Sequence, residues 1–165
     1  MIVGTGSPRR QLQLLLQCKD IQFKDLRGNI DTRLRKLNEG EYDAIVLAAA
    51  GLHRLGKSVA QEAYISVSDC IPAVGQGAIA LECRAGDEDT IAILKTINHA
   101  ETEIAVTAER AFMRTIGGGC KFPLAAHAII KSDKVFLDCI IGDVTTCKFV
   151  RLQDSVTESE AEQLG

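Results

Sequence analysis

A strand-like stretch, a turn carrying arginine and a segment of helical period follow one another three times in the first third of the chain. Ile2-Val3 is too short to assign as a strand, but it leads into the turn Gly4-Thr5-Gly6-Ser7-Pro8. Ser7 suits a helix N-cap and Pro8 the first helical position, and Leu12, Leu14, Leu15 and Leu16 give the next turns an apolar face. Ile21 to Leu26 reads as a strand ending at Arg27-Gly28-Asn29. A helix follows, with Ile30, Leu34 and Leu37 on one side, Asn29 or Asp31 as cap and Gly40 as stop. Ala44 to Ala49 is a continuous apolar run expected to form a strand buried on both faces. It ends in the tight segment Gly51-Leu52-His53-Arg54-Leu55-Gly56. Strands alternating with helices predict an α/β fold, and in open sheets of that kind the strand-end loops converge on a ligand crevice.

The charges in those loops point to an anion. Arg9 and Arg10 fall in the first turn of a helix, the end at which the macrodipole disfavours cations by a few tenths to about 1 kcal/mol. Their position makes sense if the helix N-terminus and both guanidinium groups hold a negative group together. Arg27 and Arg33 flank the start of the second helix, whereas Arg35 and Lys36 read as solvated. With a net charge of −3 the chain has no global nucleic-acid footprint, so any basic site is local.

Beyond residue 56 the pattern loosens. Ile65 to Val67 reads as a short strand, Ile71 to Gly77 as a sharply bent connection with Gln76 between two glycines, and Ile79 to Cys83 as a further strand. Asp87-Glu88-Asp89 opens a helix bearing Ile91, Leu94 and Ile97. A longer helix starts near Glu101, with Ile104, Ala108, Ala111 and Phe112 on its buried stripe. Leu124–Ile130, Val135–Ile141 and Thr145–Leu152 read as a three-stranded antiparallel meander, with Lys131–Lys134 as a hairpin turn. Thr157-Glu158-Ser159-Glu160 matches a capping box for a helix that the sequence leaves short. The whole reads as strand–helix units of an α/β protein followed by a small α+β domain. No apolar run has the length of a membrane span, and the expected location is the cytoplasm. The six cysteines, at 18, 70, 83, 120, 139 and 147, show no zinc spacing and read as reduced. Cys120 follows Gly117-Gly118-Gly119 at the end of the long helix, and reads either as an ordinary small apolar cysteine after a helix C-cap or as a thiol with room to carry something.

Taken in order, several segments resemble the porphobilinogen deaminase (hydroxymethylbilane synthase) family. They are Gly4–Gln11, Leu26–Asn29, Glu41–Ile45, Gly51–Gly56, Pro72–Gly77, Thr107–Ala111 and Gly117–Cys120. The resemblance implies a transferase that joins four porphobilinogen units into the linear tetrapyrrole hydroxymethylbilane and releases ammonia, in heme and porphyrin biosynthesis. It implies a dipyrromethane cofactor joined to Cys120 by a thioether. Ser7, Arg9, Arg10, Arg27, Arg33 and Arg54 would hold cofactor and substrate carboxylates, and Gln76 and Gly77 would lie at a hinge. His53, beside Arg54, departs from the commoner basic residue of the family. The implied divisions are 1–72 as part of a second α/β domain of a two-lobed protein, 73–98 as hinge and return segment, and 99–165 as the C-terminal α+β domain. Family members are considerably longer. The first domain, with the aspartate that stabilises charge on the deaminated pyrrole, has no counterpart here, so the isolated chain is expected to be inactive and its parent a monomer with no nucleic-acid or membrane partner. Two readings from other classes are a non-catalytic anion-binding α/β module and a redox-sensing thiol protein; a tethered pyrrole on Cys120 separates both from the first.

Overall fold

The structure is a computed structural model that describes all residues except 59, 61, 62 and 118–121. Cys120 and its two preceding glycines therefore lie outside the described residues. The remainder forms two compact units: residues 1–71 with 122–124 and 141–150, and residues 72–117 with 125–140 and 151–165.

The first unit is built on a parallel sheet of order β2-β1-β3, from β1 (Ile2–Gly4), β2 (Gln22–Lys24) and β3 (Ala44–Ile45). The shortest sequence signal, Ile2-Val3, is thus its central strand, with Val3 opposite Phe23 on one side and Ala44 on the other. Gly4, the last residue of that strand, has no room for a side chain, since a Cβ there would come within 2.8 Å of the Tyr42 ring. Helix α1 (Pro8–Gln17) follows, with Ser7 at the N-cap in extended conformation but making no side-chain cap bond. Helix α2 (Ile30–Asn38) is capped by Asn29, whose carbonyl accepts the Thr32 N–H at 2.9 Å, and the chain turns away at Gly40 with φ +78°.

Four expected strands are corrected. The apolar run 44–49 is a strand only over Ala44–Ile45, which is half-buried; Ala49 already begins helix α3 (Ala49–Arg54). Three successive alanines favour helix, and Gly51 lets that helix approach the Ile30 side chain. Residues 65–67 form no strand. Ser66 Oγ donates to the Asp69 carboxylate at 2.7 Å while the Asp69 N–H returns to Ser66 Oγ at 3.1 Å, a local arrangement that competes with a ladder. Residues 79–83 are not a strand either: Ile79 and Leu81 are exposed, and an apolar run with no strand beside it has no ladder to join. The last strand begins later than expected, because the Asp143 carboxylate accepts from both the N–H and the hydroxyl of Thr146 and folds 143–148 into a turn.

The second unit holds α4 (Glu88–Thr96), capped by Asp87, and α5 (Ala100–Ile116), whose Ala108, Glu109, Ala111 and Phe112 are buried. Helix α5 ends at Gly117 in the left-handed conformation, φ +67°. The antiparallel sheet has the order β4-β5-β6, from β4 (Leu124–Lys131), β5 (Lys134–Gly142) and β6 (Phe149–Thr157). Its first hairpin closes through Ser132 and Asp133, both at positive φ, the two-residue turn whose twist matches the strands. The expected capping box is replaced. Thr157 makes no cap bond but donates its hydroxyl to the Glu160 carboxylate at 2.7 Å, and a 3₁₀ turn (Glu158–Glu160) leads into the short α6 (Ala161–Leu164). Among the described residues no helix is long and apolar enough to cross a membrane.

Candidate functional site: an arginine cluster at the carboxyl edge of the parallel sheet

In a parallel sheet all strands present their carboxyl ends to one edge. With the order β2-β1-β3, the chain leaves β1 toward one neighbour and reaches the other only later, so the loops after β1 and β3 part company there. The loop after β1 is fixed by Thr5, which is buried. Its N–H extends the ladder to the Lys24 carbonyl (3.1 Å), its hydroxyl accepts the Ser7 N–H (3.2 Å), and its carbonyl accepts Gln11 Nε2 (3.2 Å). The Ser7 hydroxyl at the start of α1 makes no cap bond.

Arg9 is buried at 8% exposure, and its Nη1 donates to the Ile71 carbonyl at 2.6 Å and lies 3.8 Å from the Cys70 thiol. Arg10 Nη1 donates to the carbonyl of Val46, just past β3, at 2.8 Å. Arg33 Nε donates to the Gly28 carbonyl in the loop after β2, at 2.8 Å. Burial lowers the affinity of Arg9 and Arg10 for their protons, and for Arg10 the charges of Arg9 and Arg33 lower it further. Among the described residues, none of these three guanidinium groups has a carboxylate partner. The nearby acid is already engaged: the Asp25 carboxylate packs against the open side of Gly6 and accepts Arg27 Nε at 2.8 Å.

The structure thus brings Arg9, Arg10 and Arg33 together beside Ser7. Arg27 is largely exposed in its pair with Asp25, and Arg54 is exposed in the last turn of α3. Gln76 and Gly77 belong to the second unit, in a turn closed by the Gln76 N–H donating to the Ala73 carbonyl at 2.9 Å. Two buried polar residues escaped the sequence reading. Gln13 bonds the Ile71 peptide from both ends of its amide, and its only sequence signal was polarity between Leu12 and Leu14. Glu109 accepts the backbone N–H groups of Gly75 (2.6 Å) and Ala128 (2.8 Å) from within an otherwise apolar stripe. Among the described residues no group of acidic, histidine or cysteine side chains is arranged to hold a metal.

A partly buried cluster of like charges with spare N–H donors suits a ligand carrying several carboxylates. Comparison with known proteins gives the family of the chain. A family model described as "Porphobilinogen deaminase, dipyromethane cofactor binding domain" matches residues 1–92, and one described as "Porphobilinogen deaminase, C-terminal domain" matches residues 103–165. The chain belongs to the porphobilinogen deaminase family. Among curated relatives, the porphobilinogen deaminases of Coxiella burnetii strains Dugway 5J108-111 and CbuK_Q154 are each 45% identical over 164 residues, 99% of this chain and 53% of the relative. The chain therefore spans about half the length of the porphobilinogen deaminases it matches. The first family model covers the arginine cluster, so these guanidinium groups lie in the portion the family describes as cofactor-binding.

Proposed function

We propose that the whole protein is a transferase that joins four porphobilinogen units head to tail into hydroxymethylbilane with release of ammonia, serving heme and porphyrin synthesis in the cytoplasm. The observation that carries this reading is the set of three guanidinium groups at one sheet edge with no carboxylate partner among the described residues. Acetate and propionate groups on linked pyrroles are the matching anions, and each charge-assisted bond to them contributes about 1.5–3 kcal/mol. Bound dipyrromethane supplies the primer end to which pyrrole units are added. Arg9, Arg10, Arg27, Arg33 and Arg54 hold its carboxylates and those of the substrate, with the Ser7 hydroxyl as a further donor. Cys120 is the thioether anchor, and Gln76 with Gly77 forms the hinge. The divisions follow as 1–72 in the second domain, 73–98 in the return segment and 99–165 in the C-terminal domain.

The isolated 165-residue chain is inactive in this proposal, since the aspartate expected to stabilise charge on the deaminated pyrrole is not among its residues. The test incubates purified chain with porphobilinogen, with and without the half of the Coxiella burnetii relative that it does not span. Product formed only by the mixture, with an adduct mass that Cys120→Ser abolishes, is the expected result. Turnover by the chain alone, or an adduct that persists in Cys120→Ser, refutes the corresponding part.

A further inference from the structure

One face of α1 carries a row of polar side chains that bond to backbone. Arg9, Gln13 and Gln17 stand four residues apart, so their side chains share a face. Arg9 Nη1 donates to the Ile71 carbonyl at 2.6 Å. Gln13 Nε2 donates to the same oxygen at 3.1 Å and to the Arg9 carbonyl at 3.3 Å, while Gln13 Oε1 accepts the Ile71 N–H at 2.7 Å. Gln17 Nε2 donates to the Asp69 carbonyl at 2.7 Å. Ile71 is fully buried and Gln13 is 3% exposed, so the Ile71 N–H is satisfied by that side chain, and the Ile71 carbonyl by it together with Arg9.

The consequence concerns Arg9. Its guanidinium has five N–H donors in a rigid fork, so fixing one nitrogen on a stationary acceptor sets the direction of the others. The stationary acceptor is the Ile71 carbonyl, and Gln13 is what holds it stationary. We propose that Gln13 is a positioning residue: it locks the Ile71 peptide, the peptide locks one arm of Arg9, and the remaining N–H groups of Arg9 are thereby aimed at the carboxylate ligand. The proposal rests on the reading of this cluster as a carboxylate site and adds to it a residue that touches no ligand. Gln13 cannot be replaced by glutamate without changing that aim. Glutamate keeps an acceptor for the Ile71 N–H but puts a negative charge where the Nε2 donor stood, on the carbonyl that Arg9 Nη1 also reaches. Arg9 would turn to the new carboxylate and lose its value for an external one.

The test uses the full 165-residue chain in four forms: unchanged, Gln13→Met, Gln13→Glu and Gln17→Met. Two readouts separate the inference from the site reading. The first needs no ligand: the ¹⁵N side-chain resonance of Arg9 Nε–H and the hydrogen exchange of the Ile71 amide. The second is the dissociation constant for porphobilinogen, with Arg10→Leu as the control for the site itself. Gln13→Met should speed Ile71 exchange, mobilise the Arg9 resonance and weaken porphobilinogen about tenfold or more. Gln13→Glu should keep the Ile71 amide protected yet weaken porphobilinogen by a similar factor. Gln17→Met, which removes a bond from the same row, should leave the Arg9 resonance unchanged. An Arg9 resonance indifferent to Gln13→Met overturns the inference, as does full affinity in folded Gln13→Glu. A mobilised Arg9 with porphobilinogen affinity unmoved by Arg10→Leu supports the positioning role of Gln13 and refutes the carboxylate site.

Discussion

Glu109 offers the sharpest test of how the second unit is held. Its carboxylate sits at 5% exposure and accepts two backbone N–H groups, from Gly75 at 2.6 Å and Ala128 at 2.8 Å, so it ties the segment after Ile71 and strand β4 to α5. Replacing Glu109 with Gln keeps the shape and one carbonyl oxygen but turns an NH₂ group toward one of those donors. That loses a charge-assisted bond and leaves an N–H unpaired, a cost of about 1–3 kcal/mol; Glu109→Leu strands both donors and should cost about 2–6 kcal/mol. Against a total stability of about 5–15 kcal/mol, the leucine variant stands near the limit of folding. The pH dependence has a definite sign. Burial raises the affinity of Glu109 for a proton above the ordinary carboxylate value of 4.5, outweighing the two amide bonds and the nearby His127. Between 4.5 and the raised value the folded state binds more proton than the unfolded state, so this group's contribution is full below 4.5 and is lost as pH rises through the folded value. Urea unfolding of wild type and Glu109→Gln across pH 4.5–8 should therefore show the stability gap widening toward acid. A gap that is flat with pH, or narrows toward acid, refutes the reasoning. So does unchanged hydrogen exchange at Gly75 and Ala128 in the variant.

Three other outcomes are expected. Asn29→Ala removes the side-chain acceptor for the Thr32 N–H at the start of α2 and should cost about 1 kcal/mol, read as a lower thermal midpoint, whereas Asn29→Ser should restore most of it. Gly142→Ala would press a Cβ to 2.6 Å from the Lys148 carbonyl and 2.8 Å from the fully buried Leu12 side chain; it should cost about 1–3 kcal/mol by denaturant titration, and a neutral result refutes that close packing. For Asp138, burial acts to raise its proton affinity, but hydrogen bonds from Arg151 and Gln153 and the charge of Arg151 prevail and lower it. Its contribution should be present above the ordinary value of 3.8 and fade as pH falls through the lower folded value, so an acid titration of Asp138→Asn against wild type should converge at the acid end.

The sequence was most legible where local chemistry decides. Asn29, Asp87 and Gly117 cap helices as their residue types suggest, and Ser132-Asp133 closes the expected hairpin. Arg9 and Arg10 stood out because cations at a helix start contradict the local field, and the fold does place them with Arg33 at the sheet edge. Reading failed where partners are distant. Apolar composition made strands of 46–49, 65–67 and 79–83, but a strand exists only where another lies alongside it, as at Ala44–Ile45, and β1 drew its ladder from both neighbours despite its length of three residues. Thr145–Lys148 went to a turn because the single carboxylate of Asp143 gathers two donors from Thr146. Gln13 and Glu109 were invisible for the converse reason: each serves a peptide far away in sequence, and nothing in the neighbouring residues reports it.

The row of side chains on α1 holds a piece of chain that is no regular element of its own. Asp69 and Cys70 close a turn on the Ser66 carbonyl, and Ile71 lies in neither helix nor strand. Gln17 and Gln13, about 6 Å apart along the helix axis, take the Asp69 carbonyl and the two backbone groups of Ile71. The regularity that fixes this stretch belongs to the helix. Because the glutamines grip peptide groups rather than side chains, a mutational scan should find the side chains of Asp69 and Cys70 far more replaceable than Gln13, with the recognition written on the helix and not on the strip it holds.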